Sequence, residues 1–276
     1  MTPTSPDREA LREMLLFLAD SGEDFPLEET GTDRLAKPEP AKAAPKPSDA
    51  PTATRMAEAP VAETRAPATP TVPDEAQAAR ARELARQAKS LEELREIMAG
   101  FDGCNLKFTA KNLVFADGNP AAPLMLVGEA PGRDEDLEGL PFVGRSGQLL
   151  DRILAAIGRD RTSVYIANTI PWRPPGNRDP SPMETEICRP FIERQIELAG
   201  PKVLMTLGNP STKLLLGTSA GITRLRGNWQ AHTTRSGMAI PTMPTLHPAY
   251  LLRNPAHKKL AWRDFLDVKA KLRELS

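Results

Sequence analysis

From Leu124 onward the chain alternates short, almost fully apolar runs with stretches of helical periodicity. That alternation restricts the folds open to its 276 residues more than any other feature. Leu124 to Val127, Val164 to Ala167, Val203 to Leu207 and Ile240 to Met243 each read as strands buried on both faces. Asn112 to Ala116 reads as a further strand. Gly147 to Ile157, Pro182 to Leu198, Pro210 to Leu216 and Ala256 to Leu275 carry the spacing of helices. Strands alternating with helices predict an α/β fold of three layers, α/β/α, around a central, mostly parallel sheet. Ligands of such sheets bind beyond the carboxyl ends of the strands. The loop GEAPG after Val127, Asn168 after VYIA, and Thr245-Leu246-His247-Pro248 after IPTM should therefore converge on one rim.

Upstream, helix is predicted from about Glu75 to Met98. Ser90-Leu91-Glu92-Glu93 has the pattern of a capping box that can begin a separate second helix, and Gly100 is a plausible stop. Residues 37–74 contain nine prolines and ten alanines, and Met56, Val61 and Val72 are their only larger aliphatic residues. Such a segment buries too little to offset its ordering entropy and reads as an extended, disordered linker. Residues 1–36 carry nine acids against three bases, a charge of −6, so the remainder of this neutral chain carries +6. Within them Leu11, Met14, Leu15 and Leu18 fall on one helical face, which could dock on the protein's own body or on a protein partner. Residues 75–276 then form the globular domain. No run approaches the ~18 apolar residues of a membrane span, and nothing near Met1 resembles a signal peptide. Cys104 and Cys188, the only cysteines, suit a reduced, cytoplasmic protein better than a disulfide scaffold. The chain is expected to act as a monomer.

The glycine loop GEAPGRDED has neither the Lys-Ser/Thr of a phosphate-binding loop nor dinucleotide spacing, and its acids would repel phosphate. The acidic run Asp134, Glu135, Asp136 reads as a solvated loop. Gly144-Arg145-Ser146-Gly147, at a helix start, suits an anion better, since free N–H groups and Arg145 supply donors; an ordinary capped helix is the other reading.

Taken together, VGEAPG, LPFVGRSGQLLDRIL, VYIANTIPWRPPGNRDPSPMETEICRPFIERQI, LMTLGNPSTKLLLG and PTLHPAYLLRNP occur in this order over about 130 residues. They resemble the uracil-DNA glycosylase superfamily, family 4 in particular, over roughly residues 91–276. The resemblance implies hydrolysis of the bond between uracil and deoxyribose in uracil-containing DNA, leaving an abasic site, after the nucleotide is flipped from the duplex. A non-catalytic DNA-binding or replication-associated protein on the same fold is the alternative.

The resemblance also assigns roles. Phe142 would stack on the flipped ring, with Pro141 stiffening its approach. Asn168 would read uracil O4 and N3–H, which need a donor and an acceptor together. His247 would stabilise the charge that develops on the departing base. Glu129 would stabilise an oxocarbenium-like sugar and orient or deprotonate the attacking water. Gly128, Ala130, Pro131 and Gly132 would bring backbone close to the nucleotide. Leu251 and Leu252 are candidates for filling the gap left by the base. Arg145, Ser146, Gly147 and Arg253 would meet DNA, while Lys258, Lys259 and Arg263 would neutralise phosphates or simply face solvent. His232 reads as structural, and His257 as structural or touching a phosphate.

Two departures qualify the match. Family 4 enzymes hold a [4Fe–4S] cluster with four cysteines, but Phe101 and Trp172 stand at two of the four positions, leaving Cys104 and Cys188. Neither aromatic can donate a ligand, so no cofactor is expected, and the aromatics should pack beside the thiols. Gly132 stands where other uracil glycosylases use a Tyr to exclude thymine. Between Asn177 and Cys188 there is no insert of the kind that marks a DNA-crosslinking relative, so turnover is expected.

Overall fold

The computed structural model describes residues 74–275, so the helix and linker expected upstream lie outside the described residues. A six-stranded sheet runs through it in the order β1-β3-β2-β4-β6-β5. Its strands are β1 (Asp117–Gly118), β2 (Leu124–Gly128), β3 (Tyr165–Asn168), β4 (Val203–Leu207), β5 (Gln230–Thr233) and β6 (Ala239–Thr245). The four inner strands are parallel, and β1 and β5 pair antiparallel at the two edges.

Period-two alternation explains why the inner strands are apolar throughout. Leu124, Leu126, Ile166 and Met205 face one layer, packing with Leu150 and Leu154 of α5 (Arg145–Ala156) and with Phe265 and Val268 of α10 (Lys258–Glu274). Met125, Val127, Ala167 and Leu204 face the other, against Ile192 and Ile196 of α6 (Pro182–Ala199) and Leu214 and Leu215 of α7 (Asn209–Leu216). Helices thus cover both faces, as the three-layer expectation requires. No helix among the described residues is long and apolar enough to cross a membrane.

The expected N-terminal helix is divided as the capping box suggested, into α1 (Asp74–Gln87) and α2 (Leu91–Gly100). The Ser90 hydroxyl accepts from Glu93 N–H at 3.1 Å, and the Glu93 carboxylate accepts from Lys89 N–H at 2.7 Å. Ala78, Ala81, Ala85 and Ala88 form a small-residue seam within a third core cluster that includes Ile187 and Phe191 of α6. A short α3 (Leu106–Thr109) follows.

Two expectations are corrected, and one strand was not anticipated. Asn112 to Ala116 is not a strand. Val114 N–H donates to Pro171 carbonyl at 2.9 Å, but the amides of Lys111 and Asn112 donate to Asp136, which ties this segment to the glycine loop instead of the sheet. The acidic run is not a solvated loop, because Arg133–Glu138 forms a helix, α4, and Asp136 is buried. Strand β5 was missed because its four residues are mostly polar and exposed, leaving no apolar run to read. It is held by a hairpin in which Gly237 adopts a left-handed conformation (φ 87°).

Behind the rim, Arg226 after α8 (Ile222–Leu225) pairs with the fully buried Asp264 of α10. Asp264 also accepts from the Thr245 hydroxyl at 2.6 Å, which pins α10 to the end of β6. Removing one partner of a buried pair leaves the other charge uncompensated. Asp264→Ala is therefore expected to lower the unfolding free energy by about 3 kcal/mol in urea melts, and a melt like that of the parent would show that the pair does not anchor the helix.

Candidate active site

Three parallel strands deliver the site. Glu129 follows β2, Asn168 ends β3, and His247 follows β6 and caps α9 (Pro248–Arg253). With Phe142 they line one cavity of about 470 Å³. Ala130, Pro131, Gly132 and Ser146 also line it, so most of the base-binding set named from the sequence meets in one place.

Asn168 is 6% exposed, and its Oδ1 is buried without a hydrogen-bond partner. An orphaned buried acceptor costs about 1–3 kcal/mol, so it marks a place where a donor on a ligand belongs. The approach is close: a Cβ on Gly128 would lie 2.4 Å from that Oδ1 and 2.6 Å from the Phe142 ring. Only a glycine at 128 lets the carboxamide and the aromatic ring share this floor.

Phe142 has φ 55°, a conformation rare for a bulky residue. Two features hold it there. Arg161 donates to the Phe142 carbonyl and, at 3.1 Å, to that of Pro141, while Asp117 (2.6 Å) and Asp151 (2.9 Å) hold the guanidinium. Gly147 leaves room on the other side, since a Cβ there would sit 1.6 Å from the Phe142 carbonyl oxygen. Gly147 is therefore buried against the Phe142 carbonyl.

The His247 Nδ1 accepts from Ala249 N–H at 3.1 Å, so the neutral ring carries its proton on Nε2. Burial, with Arg253 adding, pushes its pKa down to about 4. The ring is thus a neutral donor throughout the physiological range. Its contribution to stability is present above about pH 6.5 and shrinks as pH falls toward 4, because the unfolded chain takes up the proton first. The Phe142 and His247 rings lie 5.5 Å apart. Burial, and then the nearby Asp179, lift the Glu129 carboxyl above the usual carboxylate range. Its backbone is fixed to the residues just after β3, its carbonyl accepting from Thr169 Oγ1 at 2.7 Å and Ile170 N–H at 2.9 Å.

Several cavity residues were not read from the sequence. Tyr250, Glu135 and the loop residues Pro174, Arg178 and Asp179 line it too. The Pro- and Gly-rich PPGNRDP stretch after β3 was the available signal for the loop. Glu135 accepts from the amides of Gly132 (3.0 Å), Val143 (3.1 Å) and Gly144 (3.1 Å). A carboxylate therefore already occupies amides beside the start of α5, which weakens the anion site expected at Gly144 to Gly147. Arg145 is exposed there, as are Arg253, Lys258, Lys259 and Arg263. Leu251 is buried and does not line the cavity.

The family model for the uracil DNA glycosylase superfamily matches residues 115–266. The chain belongs to this superfamily. Over 192 residues it is 40% identical to a type-4 uracil-DNA glycosylase of Sulfurisphaera tokodaii, covering 68% of this chain and 85% of that protein. It is 41% identical to one of Saccharolobus solfataricus over 174 residues (61% and 80%) and 40% identical to one of Archaeoglobus fulgidus over 185 residues (65% and 92%).

For this glycosylase-superfamily chain, the four-cysteine cluster can be tested against the side chains. Cys104 and Cys188 are buried with sulfurs 3.9 Å apart. Phe101, 1% exposed, and Trp172, 2% exposed, share their core cluster, and Phe101 sets its edge on Phe191 at 5.1 Å. The contact between the two thiols raises the pKa of Cys188, with burial adding, and lowers that of Cys104. Among the described residues no three His, Cys, Asp or Glu side chains are placed to hold a metal ion. Two thiols and two aromatics do not fit a four-thiolate cluster.

His232 is structural, its Nδ1 bonded to the Leu215 carbonyl at 2.7 Å. A separate groove is lined by Arg82, Arg86, Glu193, Arg194, Glu197 and Arg235, in which Arg194 pairs with Glu197 and Arg235 with Glu193.

Gly147→Ala is expected to destabilise the protein by about 2–3 kcal/mol, measured by thermal and urea unfolding. A parent-like transition would mean that the Phe142 carbonyl is free to yield.

Proposed function

We propose that the chain is a uracil-DNA glycosylase of base excision repair, releasing uracil from a nucleotide flipped out of DNA. The observation that carries this is the unpartnered Asn168 Oδ1 on the cavity floor beside Phe142. Uracil brings the N3–H donor that this acceptor lacks, and its O4 accepts from the same carboxamide. Cytosine presents a bare N3 and an amino group, so both contacts become mismatched.

The flipped ring stacks on Phe142, whose position the Arg161 bonds and Gly147 predetermine. As the glycosidic bond breaks, the electron pair goes to the base, and charge collects on its O2. The neutral His247 Nε2–H donates there, in a site where water is largely excluded. A neutral donor needs no counter-ion and stays ready at any pH well above 4. Opposite the departing base, C1′ becomes cationic. Glu129 in its ionised form stabilises that centre and accepts the proton of the attacking water, and its raised pKa makes it a better base than an ordinary carboxylate. The exposed Arg253, Lys258, Lys259 and Arg263 are the cations available to phosphates of the flanking strand.

On this reading the enzyme works without an iron–sulfur cluster, because Phe101 and Trp172 fill its place with hydrocarbon. It functions as a cytoplasmic monomer, and the amphipathic segment near its N-terminus docks either on the protein's own body or on a protein partner.

The test is cleavage of uracil-containing oligonucleotides, followed by alkaline scission at abasic sites. His247→Ala is expected to lower kcat/KM about a hundredfold or more, and Asn168→Ala by at least about tenfold, with both variants folded. Activity should fall as pH drops through the Glu129 pKa, and Glu129→Gln should remove that limb. Absence of cleavage by the parent protein would favour the non-catalytic DNA-binding alternative. Separately, protein purified anaerobically is expected to contain iron and sulfide far below one cluster per chain; stoichiometric iron would overturn the cofactor assignment.

A further inference from the structure

A second, smaller recess of about 140 Å³ adjoins the cavity and has room for several waters. The two share Glu129, Asp179 and Pro180 as walls. Thr169 and Ile170 just after β3, Thr185 of α6 and Pro210 of α7 complete the lining of the recess. Phe142, Asn168 and His247 take no part in it, so a base held by those three leaves it clear. Its side chains offer acceptors. Glu129 and Asp179 are carboxylates. The Thr185 hydroxyl donates to the Ser181 carbonyl at 2.9 Å and the Thr169 hydroxyl to the Glu129 carbonyl at 2.7 Å, so each has only lone pairs left to offer.

We propose that Asp179 and Glu129 together hold the attacking water in this recess, Asp179 orienting it and Glu129 taking its proton. This rests on the glycosylase reading above. A water that donates one hydrogen to each carboxylate has its lone pairs directed away from both, ready for an electrophile. When the bond from C1′ to the base breaks, its electron pair leaves with uracil. The water oxygen then bonds to C1′ and one water proton passes to Glu129. The products are an abasic sugar bearing the new hydroxyl and a uracil anion, to which the Glu129 proton returns through solvent.

The loop that carries Asp179 is anchored. Arg178 donates to the Glu184 carboxylate of α6 at 2.6 and 2.9 Å and to the Asp179 carbonyl at 2.9 Å, which commits that guanidinium to a carboxylate other than Asp179. Of the other charged or titratable groups lining the cavity, Glu135 is engaged by three amides and Tyr250 by His257, His247 is neutral, and Arg253 acts on His247. Asp179 is the charge that acts on the Glu129 carboxyl, so that Glu129 keeps its proton to higher pH.

The test is single-turnover uracil release across pH, with binding of a duplex carrying a non-cleavable 2′-fluoro-deoxyuridine measured alongside. Asp179→Ala removes both anchor and charge. Its plateau rate is expected to fall about tenfold with binding unchanged. Its acid limb should move to lower pH, because Glu129 ionises more readily without an anion beside it. Asp179→Asn keeps an accepting oxygen without the charge, so it should displace the limb in the same direction and retain most of the plateau. Thr185→Leu fills the recess with hydrocarbon and should lower the plateau about tenfold, again with binding unchanged. An acid limb that stays put in both Asp179 variants, a loss confined to binding, or a parent-like rate in Thr185→Leu would overturn the proposal. Asp179 is exposed on its loop, so its variants decide the matter should Thr185→Leu not fold. A parent protein that releases no uracil at any pH sinks the glycosylase reading instead, so the two failures are distinct.

Discussion

The carbonyl oxygen of Phe142 is the point on which the site depends. Its residue sits in a left-handed backbone conformation that an aromatic side chain avoids unless its surroundings impose it. Arg161 imposes it from one side, itself held between Asp117 and Asp151, and the bare backbone of Gly147 permits it from the other. The strain aims the ring at the floor where Asn168 and Gly128 meet. Asp117 belongs to edge strand β1 and Asp151 to α5, so the aromatic plate is fixed by elements from two layers of the fold. Its rigidity comes from tertiary structure and not from the loop that carries it.

The parallel sheet does the rest of the assembly. Three of its four inner strands each deposit one polar residue at the carboxyl end: Glu129 just after β2, Asn168 at the end of β3 and His247 two residues beyond β6. Their chemistry is separated by environment. Glu129 is made more basic by burial beside Asp179, and His247 is kept neutral by burial beside Arg253. In the proposed reaction the carboxylate and imidazole therefore differ in role: one answers positive charge on the sugar, the other negative charge on the base.

Much of this could be read from residue order alone, for identifiable reasons. Inner strands such as Leu124 to Val127 are apolar on both faces and bounded by Gly or Pro, so they announce themselves. The residues after them fall on one rim by topology, which is why Glu129, Asn168 and His247 could be named together. What escaped depends on contacts distant in sequence. Asp136 draws Lys111 and Asn112 away from the sheet across some two dozen residues, and no local pattern encodes that. Arg161 and Gly147 owe their importance to one carbonyl. Leu251 and Tyr250 are neighbours, and only the direction of the helix decides which is packed inward and which meets the cavity. The glycine-loop acids looked solvated because their partners are backbone amides, which carry no sequence signal.

The unmet oxygen of Asn168 has a further consequence. Scission of the glycosidic bond alters neither O4 nor N3–H, so the freed pyrimidine presents the same edge to the carboxamide as the nucleotide did. On the proposed reading of Asn168, nothing in that contact distinguishes what has been cut from what has not. If Asn168 reads the base as proposed, the liberated base must break the recognition bonds intact to depart, and an excess of it in solution would compete for the same floor, so inhibition by the product follows from that reading.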